Sequence, residues 1–248
     1  VILEAESILK FFGTGVKNLL FPPVCSGCLE PLPSSDKSFC DTCFQRIAFI
    51  HSPKCPRCGH EFRNSTEGDH LCGTCLRRKH KDPFSRAMAV ARYQEPVSTL
   101  LRSLKYDGDL SVLAALQSIV ASADTLTLDK EDRIVPVPLH VKRLRSRGFN
   151  QAALIARLFF PAMETHILLD VVQRVRHTNP QMGLDGVARR KNLHDAFAVS
   201  NRSKIKGRKI ILIDDVFTTG TTVLECSRVL IAAGAKEVQV LTVAKVQG

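Results

Sequence analysis

Tryptophan is absent from the 248 residues, tyrosine occurs twice and methionine three times. A protein that grips single-stranded nucleic acid by stacking bases on exposed rings needs more aromatic surface than that. The thirteen phenylalanines sit mostly in apolar contexts and read as core. Long apolar runs are also missing. Charges interrupt every stretch before the ~18 residues that a membrane-spanning helix requires, so no membrane insertion is expected. Val1 to Phe21 holds apolar residues at helical spacing (Ile8, Phe11, Phe12, Val16, Leu19, Leu20), but Glu4 and Glu6 come first and Lys10 and Lys17 break the pattern. A secretory leader would begin basic and continue with an unbroken apolar core. Residues 1–22 are therefore expected to form an amphipathic helix that packs on its own protein, and the protein is expected in the cytoplasm. Neither a Gly-Lys-Ser/Thr phosphate loop nor a Gly-x-Gly-x-x-Gly dinucleotide turn occurs. No amidotransferase domain or amino-terminal cysteine nucleophile is recognisable, which disfavours glutamine-dependent ammonia transfer.

Acidic residues are the scarcer charge. Residues 84–248 carry 24 Lys/Arg against 15 Asp/Glu, a net of +9 out of the chain's +11. The basic residues crowd into 142–147, 189–191 and 202–209. Such clusters attract polyanions, either a pyrophosphate or a nucleic-acid backbone.

Cysteine, by contrast, is abundant. Eight of the nine cysteines form four Cys-x-x-Cys pairs: Cys25/Cys28, Cys40/Cys43, Cys55/Cys58 and Cys72/Cys75. One such pair brings two thiolates to one Zn²⁺, and two pairs complete a tetrahedral four-cysteine site. The simplest assignment joins neighbours, Cys25, Cys28, Cys40 and Cys43 on one ion and Cys55, Cys58, Cys72 and Cys75 on a second. Crossed pairing is also compatible with the spacings. A disulfide framework would need an oxidising compartment, for which no leader speaks. Structural zinc is the expectation, because a segment of this size barely supplies a core of its own. A closed four-thiolate shell leaves no position for catalysis. His51, His60, His70 and His80 are read as bystanders, and the lone Cys226 as a buried, inert thiol.

A composition break near Asp82-Pro83 divides the chain into the amphipathic helix 1–22, a cysteine-rich module 23–82 and a third segment 83–248. In the last, strand and helix patterns alternate. Strands are expected over Arg86–Tyr93, Arg133–Pro136, His166–Val172, Lys209–Ile213 and Val238–Val246. Helices are expected over Pro96–Lys105, Leu110–Ala123, Asn150–Phe160, Asp185–Leu193 and Thr221–Ala233. The run Ile210-Ile-Leu-Ile213 is apolar on both faces, as a central parallel strand must be. The fold class that follows is α/β, doubly wound on a mainly parallel sheet, with ligands at the carboxyl ends of the strands.

The richest segment follows that strand: Asp214-Asp215-Val216-Phe217-Thr218-Thr219-Gly220-Thr221-Thr222. Gly220 permits a tight turn close to an anion. Free N–H groups at the next helix start point toward a phosphate, and four threonines add hydroxyl donors. Two carboxylates beside a phosphate cradle would repel it unless they hold something else, and ribose hydroxyls of the same ligand meet that need. The loop is expected to lie exposed at a sheet edge.

This segment resembles the signature with which type I phosphoribosyltransferases bind phosphoribosyl pyrophosphate (PRPP). By that resemblance Asp214 and Asp215 hold the ribose hydroxyls, Thr218 to Thr222 hold the 5-phosphate, and Mg²⁺ bridges pyrophosphate and ribose oxygens. Further motifs narrow the likeness. Pro136-Val137-Pro138-Leu139 leads into Arg143-Leu-Arg-Ser-Arg147-Gly148-Phe149-Asn150-Gln151. Thr178-x-x-Gln181, Arg189-x-x-Asn192, Ala196-Phe197, Leu104-Lys105-Tyr106 and Leu20-Phe-Pro-Pro-x-Cys25-x-x-Cys28 complete the set. Together they resemble the ComF family of competence proteins over essentially the whole chain. That resemblance implies handling of single-stranded DNA during natural transformation; a helicase-like competence protein is a separate candidate partner, one on which a zinc-stapled assembly protein would dock.

Pro138 and Leu139 are expected at the pyrophosphate. Arg143, Arg145 and Arg147, if extended, direct their guanidiniums to one side, toward pyrophosphate or nucleic acid. Arg174 to Asn192 resembles a loop closing over PRPP, with Arg189, Arg190 and Asn192 as its candidates. Three functions remain open: a phosphoribosyltransferase on an unidentified acceptor, a nucleic-acid-binding protein that senses PRPP, and a zinc-stapled assembly protein. No catalytic residue can be named from the sequence. Chelation is expected to unfold the first eighty residues before the remainder.

Overall fold

The computed structural model describes residues 22–62, 68–77, 82–123, 128–176 and 195–247. Two short helices, α1 (Asp41–Gln45) and α2 (Gly73–Arg77), carry Cys43 and Cys75. There follow β1 (Arg86–Arg92), α3 (Val97–Arg102), a π-helical turn over Ser103–Asp107, a 3₁₀ turn over Leu110–Val112 and α4 (Leu113–Ala121). Next come β2 (Arg133–Pro136), α5 (Val141–Arg147), α6 (Gln151–Phe159), the short strands β3 (Val172–Arg174) and β4 (Phe197–Val199), β5 (Lys209–Phe217), α7 (Thr221–Ala232) and β6 (Glu237–Lys245).

Four strands form one parallel sheet in the order β1-β6-β5-β2. β5 is apolar on both faces because both are covered. Ile211 and Ile213 enter a core with Leu116, Ile119 and Ile155 of α4 and α6. Ile210 and Leu212 meet Val223, Cys226 and Leu230 of α7 on the other side. The expected doubly wound, mainly parallel fold is thus present. β3 and β4 form a separate antiparallel pair beside it.

Three expectations need correction. No strand spans 166–172: a 3₁₀ turn occupies Glu164–His166, only Ile167 bridges to Ile134, and β3 begins at Val172. The apolar string misleads because Leu169 faces solvent. β5 runs on past Ile213 to Phe217, so the acidic pair lies within the strand. The basic segment after β2 is a helix, not an extended loop. His140 caps it, its Nδ1 accepting from the Lys142 N–H at 3.2 Å, and Gly148, with φ +84°, closes it by donating to the Leu144 carbonyl. The left-handed turn there suits glycine, which has no Cβ. The helix expected over 1–22 lies outside the described residues except for its last position, Pro22, and the helix expected over 185–193 lies wholly outside them.

The cysteine-rich segment adds to the sheet edge. Phe49 pairs antiparallel with Ala91, the Ile50 N–H donates to the Val90 carbonyl at 2.9 Å, and the Ala87 N–H donates to the Arg57 carbonyl at 2.7 Å. Cys25, Leu32, Phe39, Cys43 and Ile47 are continuous with the α3/α4 core, whereas Cys55, Cys72 and Cys75 form a small cluster with Phe62 and Leu71.

Candidate functional site

β5 lies between β6 and β2, so Asp214 and Asp215 are buried in a central strand, and the expectation of an exposed loop at a sheet edge does not hold for them. What admits them is a cation from elsewhere in the chain. Lys105, on the π-helical turn, donates through Nζ to Asp215 Oδ2 at 2.8 Å. The Asp215 N–H donates to Asp214 Oδ1 at 2.9 Å. Burial pushes the Asp214 carboxyl well above the usual carboxylate range, and the charge on Asp215 adds to this. Burial also acts on Asp215, but Lys105 outweighs it and holds that carboxyl below its ordinary value. Burial works against the charge on Lys105, while Asp215 and Asp214 hold its ammonium up. Two adjacent buried carboxylates cannot both ionise cheaply, and burial together with the Lys105 charge on Asp215 favours the protonated form at Asp214 over Asp215.

Beyond the pair the strand turns. Phe217 packs into the α7-side core, Thr218 and Thr219 are exposed, and Gly220 caps α7 with φ +77°. A Cβ at Gly220 would lie 2.7 Å from Phe217 Cζ, so the site excludes any side chain there. The Thr219 and Thr221 hydroxyls are 2.9 Å apart. The first N–H groups of the twelve-residue α7 thereby open onto the turn.

A cavity of about 640 Å³ lies above these elements. β5 and its turn contribute Asp214, Asp215, Val216, Thr218 and Thr222. The turn after β2 contributes Val137, Pro138 and Leu139, and α5 contributes Arg143, Ser146 and Arg147. Arg147 Nη1 donates to Gln151 Oε1 at 2.6 Å, which fixes its guanidinium beside the cavity. Because α5 is helical, residues four apart share a face. Arg143 and Arg147 therefore line the cavity, whereas Arg145 is not part of its wall. Phe217, Thr219, Gly220 and Thr221 also stand outside the wall, shaping the turn from behind. Arg189, Arg190 and Asn192 lie outside the described residues.

Sequence reasoning named no candidate residue on the remaining wall, although Arg174 opened the stretch read as a loop closing over PRPP. Lys105, Tyr93, Tyr106 and Arg174 all line the cavity, and both tyrosines of the chain are among them. Leu104-Lys105-Tyr106 stood out only as a family motif. Nothing local marks Tyr93, whose position follows from β1 ending beside β6, where its N–H donates to the Lys245 carbonyl at 2.8 Å.

The cysteines group as neighbours, not crosswise. Cys25, Cys28, Cys40 and Cys43 bring their sulfurs within 4.8 Å of one another, as do Cys55, Cys58, Cys72 and Cys75. The Cys28–Cys40 and Cys58–Cys72 separations are 3.9 and 3.7 Å, against about 3.8 Å expected for thiolates bound tetrahedrally at ~2.3 Å. Both sets therefore fit structural zinc. Burial raises the Cys25 and Cys55 thiols, but backbone N–H groups, led by those of Cys40 and Cys72, outweigh it and bring them to about 6 and about 7. These two are readily ionised for a metal. No histidine joins either cluster among the described residues; His70 instead stacks on Phe62 at 4.0 Å. Cys226 lies on the buried face of α7, where burial raises its thiol well above the ordinary value.

Comparison with known proteins finds two family matches along the chain. Residues 16–76 match the family described as double zinc ribbon domain, and residues 138–247 match the phosphoribosyl transferase domain. The DNA utilization protein YhgH of Escherichia coli O157:H7 is 33% identical over 228 residues, covering 90% of this chain and 96% of that protein. Competence protein F of Haemophilus influenzae is 32% identical, covering 89% and 96%. Competence protein ComFC of Bacillus subtilis is 27% identical over 80% of each chain.

Proposed function

Since this chain belongs to the ComF family of competence proteins, with a double zinc ribbon joined to a phosphoribosyltransferase domain, we propose that it binds PRPP in the 640 Å³ cavity and serves DNA utilisation in the cytoplasm. The observation that carries this reading is the convergence of three unlike groups on one space: an acidic pair, a threonine turn at a helix start, and two arginines on one face of α5. A pentose phosphate bearing a pyrophosphate presents the complementary features. Asp214 and Asp215 take the ribose hydroxyls. The segment from Thr218 to Thr222 takes the 5-phosphate, with N–H groups of α7 and hydroxyls as donors. Arg143 and Arg147, beside Pro138 and Leu139, face the pyrophosphate. Mg²⁺ would accompany the ligand's pyrophosphate, with Asp214 and Asp215 as the carboxylates nearby, and would supply charge neutralisation there. The basic surface of residues 84–248 suits single-stranded DNA as a second partner, and a helicase-like competence protein as a third.

The chain itself provides a probe. It has no tryptophan, and both tyrosines line the cavity, so ultraviolet emission reports directly on its occupancy. Titration with PRPP and Mg²⁺ is expected to change tyrosine emission and to give heat by calorimetry. The double substitution Asp214→Asn, Asp215→Asn is expected to weaken binding about tenfold or more, the scale of a lost charge-assisted hydrogen bond. Wild-type protein that gives neither signal would overturn the PRPP reading. Pyrophosphate release across candidate acceptors then separates a transferase from a protein that responds to PRPP without turnover.

A further inference from the structure

Tyr106 is the only exposed phenylalanine or tyrosine among the described residues, 60% exposed on the wall of the cavity. Its place is fixed from both sides. Leu104 is buried in the core, and Lys105 is bonded to Asp215 at 2.8 Å. The π-helical turn that carries all three ends on Gly108, with φ +70°, whose N–H donates to the Ser103 carbonyl. Such turns are rare and recur at functional sites. Tyr93, Leu101 and Arg102 line the cavity as well, and Arg102 lies 3.5 Å from Glu95. Ribose hydroxyls, 5-phosphate and pyrophosphate are met by the acidic pair, the threonine turn and α5. The two rings have no part in that ligand.

The charge on α5 points to a strand. Between residues 133 and 163 the chain carries six basic residues and no Asp or Glu. Of those on α5, Arg143 and Arg147 line the cavity. Lys142 and Arg145 are exposed and take part in no ion pair among the described residues. A helix with uncompensated cations on its outer face attracts a phosphodiester backbone. A polynucleotide passing over α5 brings its bases to the mouth of the cavity, where the Tyr106 ring stands open. Every base has a π-face, so stacking there is indifferent to sequence. Two tyrosines are too few for a run of successive bases and enough for one. The exposure of Tyr106 favours a base still joined to its strand, whose sugar and phosphates stay in water. A small free ligand is held instead by enclosure of most of its surface.

We propose that Tyr106 and Tyr93 take one unpaired base of a single-stranded DNA into the mouth of the cavity, while the adjoining phosphates lie along Lys142 and Arg145 of α5. The base stacks on Tyr106. DNA and PRPP then meet in one cavity on different residues. The choice of single-stranded DNA rests on the function proposed above; the capture of a base by Tyr106 does not depend on PRPP.

The test titrates the full chain with two single strands of about twelve units, a length that one binding fold covers. One is built of thymidines, the other of abasic sugar–phosphate units with the same charge. Tyr106→Ala should weaken binding of the thymidine strand about tenfold, the scale of one base–ring stack. Tyr106→Phe should return it toward wild type, and neither variant should change affinity for the abasic strand. Lys142→Ala should weaken both strands and lower the salt slope by about one contact, ~0.7. An unchanged affinity of Tyr106→Ala for the thymidine strand, or an equal loss on the abasic one, would overturn base capture by this ring. An unchanged salt slope in Lys142→Ala would remove the path over α5. Thymine alone, binding as tightly as the strand, would make this a free-base site and sink the claim for a strand. If wild-type protein binds neither strand at low salt, single-stranded DNA is not a partner and that part of the functional reading fails. Wild-type protein that binds both strands equally well keeps DNA as a partner and refutes the base capture alone.

Discussion

At the scale of single residues, the two carboxylates of β5 are not equivalent, and their difference is measurable. Asp215 is held below its ordinary value by Lys105 once that attraction outweighs burial. Its contribution to stability is therefore present above the unfolded-state value near ~3.9 and lost as pH falls through the folded one. Asp214 is raised, by burial first, so the folded state holds its proton more tightly, and stability declines as pH climbs from the unfolded value toward the folded one. Asp214→Asn mimics the protonated acid and should match or exceed wild type in urea unfolding at pH 7, with the advantage gone below about pH 4. Asp215→Asn strands the Lys105 ammonium and should lose about 2 kcal/mol at neutral pH. The reverse order of the two variants would sink this assignment of the proton. That the acids belong to a candidate site was legible from the threonine and glycine residues that follow them, and the structure places both on the cavity wall. That their surroundings push them apart was not, because Lys105 stands 110 positions away and no local pattern links it to the strand.

At the scale of elements, α5 decides which basic residues can act together. As an extended segment, Arg143, Arg145 and Arg147 would point one way; as a helix, Arg145 is turned roughly 200° from Arg143. The helix was legible in part, since Gly148 is a natural terminator, but a short stretch dominated by charged side chains, with His140 as its cap, offers little apolar periodicity to read. No residue of α5 is buried, so the usual amphipathic signal is missing. β5 was read more easily, because burial on both faces leaves an unbroken apolar string. Substituting Arg143 or Arg147 by Ala should weaken PRPP binding, and Arg145→Ala should leave it near wild type. If the outer face of α5 follows a nucleic-acid backbone, Arg145→Ala should instead flatten the salt dependence of single-stranded DNA binding by about one contact, a slope change of ~0.7. Equal loss of PRPP affinity in all three variants would mean that the guanidiniums share one face after all.

At the scale of the whole molecule, the zinc ribbon is part of the sheet's support and not only an appendage. The four thiol pairs were fully legible, as was their likeness to zinc sites. Their attachment was not, because the backbone bonds from Ile50, Arg57 and Ala48 to β1 leave no mark in composition. The attachment changes the expected effect of chelation, which the sequence alone would confine to the first eighty residues. Cys25 and Cys43 sit in the same core as Val90, Leu101 and Leu241, whereas the second cluster packs in a small core of its own. Cys43→Ser should reduce zinc content from two ions to one and lower the main unfolding temperature by about 10 °C, because a loss of several kcal/mol costs a chain of this size ~2–4 °C for each. Cys72→Ser should also remove one ion yet shift the main transition by no more than about 3 °C, its effect confined to exchange around Cys55–Cys75, which pack in their own small core. Calorimetry with metal analysis on the two variants distinguishes the cases. Equal shifts would mean that the two sites support the sheet alike, and a separate early transition for residues 22–77 in chelated wild type would mean that the ribbon does not share the core of β1, α3 and α4.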